Sequence, residues 1–324
     1  VYKRQMEPCH APARLRTSFA AALLVIALAP ANGGAGTEGP DFDESRVQWN
    51  AAELRASKFF LSLEVDMTLR EISASAAAAQ LEDSDDWRGL PPPDPVLDMS
   101  YVSDGLGRKS EVQMLFDPVH GGMLQRTTYD TGNRYRLRRY RYGSEQVLRQ
   151  TRRPADGESS LPPEAWSREG GELHDLPADR PDGPVTEPAA LIYLAAASGL
   201  NTPGEGFELS AWADDRLRTV SVQVLEPESI RHDYRVADAE RITTEKGEVR
   251  AVRVAIRGRP LDGEETGDDD FELLGLTNLE LFLDPETRAP LMLTGRLPRF
   301  GQVAFRLQRL TLGPLNQTAG HAAR

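Results

Sequence analysis

The chemically most loaded stretch of the chain is Arg134-Tyr-Arg-Leu-Arg-Arg-Tyr-Arg-Tyr142, arginines interleaved with aromatic rings in a protein of formal net charge −12. On a strand, Arg134, Arg136 and Arg138 share one face, and the guanidinium fork suits a planar oxyanion such as a phosphate or carboxylate headgroup. Tyr135 and Leu137 then turn toward the core. The same arginines would equally pair with acids across strands or lie solvated. A second cluster, Asp262-Gly-Glu-Glu-Thr-Gly-Asp-Asp-Asp270, offers the hard oxygen ligands that calcium takes. Calcium-loop spacing asks for Glu at position 273, where Leu273 stands, so the segment reads as a solvated hairpin tip.

Other chemistries find no foothold. His120, His174, His232 and His321 lie too far apart in sequence to form a metal pair. There is no Gly-x-Ser-x-Gly, and the single cysteine is Cys9. The many acids permit some glycosidase-like pair without specifying one. Trp49, Trp87, Trp166 and Trp212 would suit a sugar cleft but serve as well in an ordinary core. The chain therefore reads as a non-enzymatic protein that needs no metal and no cofactor.

Arg14 and Arg16 precede the apolar run Phe19-Ala-Ala-Ala-Leu-Leu-Val-Ile-Ala-Leu-Ala29 and an Ala29-Pro30-Ala31 exit. A charged segment, an apolar core too short to span a bilayer and a small-residue exit make a secretory signal over residues 1–31. Met6 is the expected initiator, which leaves residues 1–5 outside the pattern. Cleavage after Ala31 removes Lys3, Arg4, Arg14, Arg16 and Glu7, so the net charge becomes about −15, which opposes general binding to nucleic acid or anionic lipid. Cys9 leaves with the signal, so disulfides and a lipoprotein anchor are not expected, and a periplasmic location fits. No membrane span is expected in the mature chain.

The elements that position these residues are mostly strands. Residues 32–45 are rich in Gly, Pro and acid and read as a flexible leader. Val47, Ala51 and Leu54 suggest a short amphipathic helix over residues 46–58, capped by Ser45. Residues 59–69 alternate with period two, an expected strand of about 35 Å, in which Leu61, Leu63, Val65 and Met67 share the buried face. Residues 74–81 read as a helical scrap. Strands then follow around turns at 103–107, 117–122, 131–133 and 143–144, and residues 151–185 read as a long loop. Residues 187–198 make the best helix, with Thr186 as N-cap, Pro188 in the first turn and Gly199 at its stop. It is apolar all round and so belongs inside, against the hollow side of the sheet. The meander resumes with turns at Asp214-Asp215, residues 245–247 and residues 284–287. It ends in a strand with a phase slip at Gln308-Arg309, an expected bulge. Residues 313–324 read as a frayed tail. The fold class is mainly β (α+β): one large curved antiparallel sheet or half-barrel of about a dozen strands wrapped around a central helix, a single domain over residues 46–312.

This order of elements resembles the half-open β-barrels of the LolA and LppX superfamily of exported bacterial proteins. The resemblance lies in the signal, the long opening strand, the helix after Pro188, and the closing run Leu279-Glu-Leu-Phe-Leu-Asp-Pro-Glu-Thr-Arg-Ala-Pro-Leu-Met-Leu. It implies a concave apolar face that holds a lipid, an acyl chain or a lipoprotein segment, with helices as lid. The chain departs from the lipoprotein carriers in its length and in the insertion at 151–184. The expected function is that of a periplasmic binding or carrier protein, with Leu61, Leu63, Val65 and Met67 lining the hollow or its core and offered as ligand-binding residues. The alternative is an envelope-assembly scaffold that meets a protein partner through its sheet edges or the 151–184 loop.

Overall fold

The structure is a computed structural model that describes residues 40, 42–58, 61–105, 107–238, 240–261, 271–298 and 300–315. The signal segment 1–31, residues 32–39 of the leader, the acidic segment 262–270 and His321 lie outside the described residues. Strands β1 (Trp49–Lys58) and β2 (Leu61–Ile72) form the first hairpin, followed by helix α1 (Ala74–Ala78). A meander continues through β3 (Val96–Gly105), β4 (Arg108–Phe116), β5 (Met123–Gly132), β6 (Arg136–Tyr142), β7 (Gln146–Arg153) and β8 (Arg168–Asp175). The short β9 (Val185–Thr186) leads through a 3-10 turn, Pro188–Ala190, into helix α2 (Leu191–Ala197). The chain returns through β10 (Gly206–Ala213), β11 (Arg216–Val224), β12 (Glu228–Ala237), β13 (Ile242–Pro260), β14 (Thr277–Leu283), β15 (Pro290–Leu297) and β16 (Gly301–Leu312).

All of these strands belong to one sheet, in the order β8-β7-β6-β5-β4-β3-β2-β1-β16-β15-β14-β13-β11-β10-β9. β12 lies off this path and pairs with both β13 and β16, which closes β12 to β16 into a five-stranded barrel. The architecture is the expected mainly β one, a large curved sheet with a short internal helix, and the barrel is an addition that alternation could not reveal. Closure removes edges from that part of the sheet.

Every residue of α2 is buried, and with Trp49, Met67, Met99, Met114 and Phe305 it belongs to one continuous core on the concave side. A small satellite of Ala77, Val96, Leu115 and Leu124 lies under α1. Helix α2 thus lies inside, against the hollow side of the sheet, as its all-round apolar sequence requires. Its C-terminal stop is Gly199, at φ 68°, where a residue with a Cβ would be strained. Thr186 is not its N-cap: it ends β9, and no side chain caps the turn at Glu187.

The carbonyls at the other end of α2 are taken by Arg288. Its Nε donates to Ala196 O at 3.0 Å, its Nη2 to Ala195 O at 3.1 Å and Leu200 O at 3.2 Å, and its Nη1 to Asn201 Oδ1 at 3.0 Å. The Asp-Pro-Glu-Thr turn sets this up. Asp284 Oδ1 accepts from the backbone N–H groups of Glu286 and Thr287 and from the Thr287 hydroxyl, and Arg288 follows at φ 58°.

Several local expectations are corrected. Residues 49–58 are strand β1, not helix, with Ala52, Leu54 and Ala56 buried in alternation. Local helix propensity of the Ala-Ala-Glu-Leu-Arg-Ala run yields to ladder bonds with β2 on one side and β16 on the other. Residues 245–247 are not a turn. They run inside the nineteen-residue β13, whose first half pairs with β12 and second half with β11 and β14, and the connection back from β12 falls at Asp238 and Arg241. The expected loop 151–185 contains β8, which pairs with β7 over its whole length. Phe42 and Leu315, assigned to leader and tail, are buried. The phase slip is a bulge as expected: Glu53 faces Arg309, while Leu54 faces Leu307.

Candidate functional site

Pairing register decides which side chains enter the hollow. Met67 faces Tyr101 on β3, which faces Val112 on β4, which faces Thr128 on β5, which faces Arg138 on β6. The concave face of β5 is thus Arg126, Thr128 and Asp130, and that of β6 is Arg136, Arg138, Tyr140 and Tyr142. This corrects the expected phase of the arginine strand: Leu137 points to the outer face, and Tyr135 precedes the strand, exposed. Tyr140 and Tyr142 supply the large apolar area in the core, and because strand side chains alternate, seating them brings Arg136 and Arg138 to the same side.

The three arginines proposed from sequence separate. Arg134 lies before β6, exposed. Arg136 donates to Asp130 Oδ2 from Nη2 at 3.0 Å. Arg108 Nη2 at 2.6 Å and the Ser110 hydroxyl at 2.9 Å donate to the other oxygen of that buried carboxylate. Burial raises the Asp130 pKa, and these hydrogen bonds outweigh it and hold the carboxyl below its ordinary value. Arg138 is left with an Nη2 4.0 Å from Asp130 Oδ2 and an Nε that has no hydrogen-bond partner among the described residues.

A cavity of about 380 Å³ opens at this end of the hollow. One wall is apolar, with Leu63 and Val65 of β2, Tyr101, Leu297 and Phe305; Pro188 and Ala189 form part of its lining, and Leu273 and Leu274 approach from the segment before β14. The other wall is polar, with Arg108, Arg126, Thr128, Arg138 and Glu187. Asp104 and Asp214 lie on its lining as well. Of the β2 residues expected at the hollow or its core, Met67 lies in the core, and Leu61 opens β2 with its side chain outside the described residues. A Cβ on Gly105 would stand 2.2 Å from Leu63 Cδ2, so glycine there makes room for the leucine at the wall.

A second hollow of about 480 Å³ lies on the concave face of β6 to β8, lined by Arg136, Arg138, Arg149, Arg153 and Glu172 among others, and Arg138 borders both. The β10–β11 turn closes in here. Asp214 and Asp215 both adopt positive φ, as the two central residues of a tight hairpin do, and Asp215 accepts from the Tyr140 hydroxyl at 2.9 Å and pairs with Arg149.

Behind the polar wall, Glu187 accepts from Arg126 Nη1 at 2.9 Å and from the Tyr142 hydroxyl. Burial pushes this carboxyl up, against the pull of Arg126 and Tyr142. Burial and the neighbouring Glu187 push the Tyr142 phenol well above its ordinary range. Sequence reading missed Arg126, Thr128 and Glu187. The one available signal was the alternation of Arg126, Thr128 and Asp130 on a strand, which gains meaning only once β6 is set in register beside it.

Among the described residues no three His, Cys, Asp or Glu side chains converge as metal ligands, and no helix is long and apolar enough to cross a membrane. Fold and cavity together define a mainly β protein with a curved sheet, closed in part to a barrel, and a half-apolar, half-polar cavity at the mouth of its hollow, whose lining carries Arg108, Arg126 and Arg138 together with Glu64, Asp104, Glu187, Asp214 and Glu272. Comparison with protein-family models, with curated proteins and with solved structures finds no match to this chain.

Proposed function

We propose that this protein is a periplasmic, non-enzymatic binding or carrier protein that shelters an apolar ligand, a lipid or acyl chain, in the mouth of its concave sheet. The observation that carries the reading is the cavity walled by Leu63, Val65, Tyr101, Leu297 and Phe305, whose volume of about 380 Å³ is within the range of small-ligand pockets. Area removed from water at about 25 cal/mol per Å² drives such binding. α2 fills the deeper hollow, so the ligand is held at the mouth and not threaded through the sheet.

Mass spectrometry of lipids extracted from natively purified protein tests this. A bound acyl-chain lipid that is lost on Leu63→Asp is the expected result. Protein that is free of lipid and does not take up a twelve-carbon amphiphile in solution overturns it. A protein-interaction module in envelope assembly is the second reading. It draws on β8, an outer strand of the sheet whose residues are almost all exposed, with Leu173 at 44%. An extended partner segment would add to that edge. Co-purification of an envelope protein that a proline at Gly171 abolishes would favour it over the carrier.

A further inference from the structure

Resting on the carrier reading, we infer that the cavity contains a built anion subsite, formed by Thr128, Arg126 and Arg138, and that the ligand is an amphiphile with an anionic head. Thr128 is 2% exposed, and its hydroxyl has no hydrogen-bond partner among the described residues. Arg126 and Arg138, which line the same cavity, each bury an Nε that likewise has none among the described residues. Buried polar atoms of native proteins are nearly always partnered, so three on one patch of one wall need an explanation.

They share a chemistry. Each Nε–H is a donor that cannot accept, and the threonine hydroxyl rotates to donate. The group that complements three donors accepts and does not donate, as an ionised carboxylate or phosphate does. Register makes the cluster compact, because Thr128 lies directly opposite Arg138, and Arg126 is the next residue of β5 on the same face. Asp130 is held by Arg108, Ser110 and Arg136, whereas Glu187 is held by Tyr142 and by Nη1 of Arg126 itself, so Arg126 offers the head its Nε while Arg138 offers the less neutralised charge; Asp104 and Asp214 also lie on the lining. Arg138 approaches Asp130 at 4.0 Å without a close ion pair, and burial lowers its pKa from the ordinary arginine value. The opposite wall of Leu63, Val65, Leu297 and Phe305 suits the tail. An apolar tail and an anionic head match the two walls of one cavity.

The test is calorimetric titration of the full chain with dodecanoate, dodecyl phosphate and dodecanol, which share one tail and differ in the head. At least one anion should bind about tenfold or more tighter than the alcohol, the scale of a charge-assisted hydrogen bond. The tighter anion identifies a carboxylate or a phosphate as the head. Arg138→Met should erase most of that advantage, Arg138→Lys should keep part of it, and Thr128→Val, isosteric and uncharged, should lower it about threefold while leaving dodecanol binding unchanged. Equal affinity for anions and alcohol overturns the subsite and leaves the carrier reading standing. An advantage that persists in folded Arg138→Met or Thr128→Val overturns it too. No binding of any of the three overturns both. Should Arg138→Met not fold, Thr128→Val and the comparison of heads on the parent protein still decide.

Discussion

Replacing Arg288 with methionine tests whether the closing turn holds the internal helix. The side chain donates four hydrogen bonds, three to the carbonyls of Ala195, Ala196 and Leu200 and one to the Asn201 amide oxygen. Arg288 is 4% exposed, and while Ala195 O also accepts from the Ser198 hydroxyl at 2.9 Å, Ala196 O and Leu200 O rely on the guanidinium. Methionine keeps the length and apolar stem but leaves those two carbonyls unmet. Hydrogen bonds to a charged donor contribute about 1.5–3 kcal/mol each, though not additively, and leaving a buried polar group without its partner costs about 1–3 kcal/mol. The partners of Arg288 are neutral oxygens, so no charge is stranded, and two carbonyls left unmet together with the lost bonds come to about 3–5 kcal/mol on that scale. Against a total stability of about 5–15 kcal/mol this is a large fraction. Urea denaturation at equilibrium should show it, with Tm falling by roughly 6–20 °C. Because guanidinium stays protonated at all accessible pH, the loss should be the same at pH 5 and pH 8. Glu286→Gln, at an exposed position of the same turn, should lie within about 0.5 kcal/mol of the parent. A loss below about 1 kcal/mol in Arg288→Met would refute the reasoning that this arginine secures α2.

Three more outcomes are expected. Met67→Ala, in the closed core, should cost about 2–5 kcal/mol in a urea titration, whereas Leu63→Ala at the cavity wall should cost less than half as much and weaken dodecanoate binding; equal costs would place Leu63 in the core as well. Trp166, 1% exposed, donates its indole N–H to Glu158 O and Leu161 O and packs at 5.9 Å from the Tyr129 ring. Trp166→Ala should expose residues 154–167 to limited proteolysis, and an unchanged cleavage pattern would show that the tryptophan does not anchor them. Glu71 is pushed up to about 6 from 4.5, by burial first and then by Glu44 beside it. A carboxyl raised in the folded chain contributes stability that is full below about pH 4.5 and lost as pH rises through about 6. Glu71→Gln should therefore match the parent at pH 4 and exceed it at pH 7.5 by less than about 1 kcal/mol, since solvent screens much of the effect; a variant less stable at pH 7.5 would reverse the sign.

The sequence by itself determined the mainly β class, the internal placement of the helix after Pro188, its stop at Gly199 and the bulge at Gln308, because each is written in short-range terms. Alternation fixes a strand's buried face, an all-round apolar helix has nowhere to lie but inside, and a left-handed residue calls for glycine. What tertiary structure alone decided is whatever depends on neighbours far along the chain. β1 is a strand because β2 and β16 flank it, although its alanine-rich sequence favours a helix. β8 forms because β7 offers it an edge, although its own residues bury almost nothing. β12 to β16 close because β12 reaches two partners at once. The arginine strand shows the boundary most plainly. Its composition announced anion chemistry, but the side on which Arg136 and Arg138 fall was set by seating Tyr140 and Tyr142, and Thr128 and Arg126 joined Arg138 only through the β5–β6 register. Local periodicity says that a strand has two faces; packing across the sheet says which of them looks into the cavity.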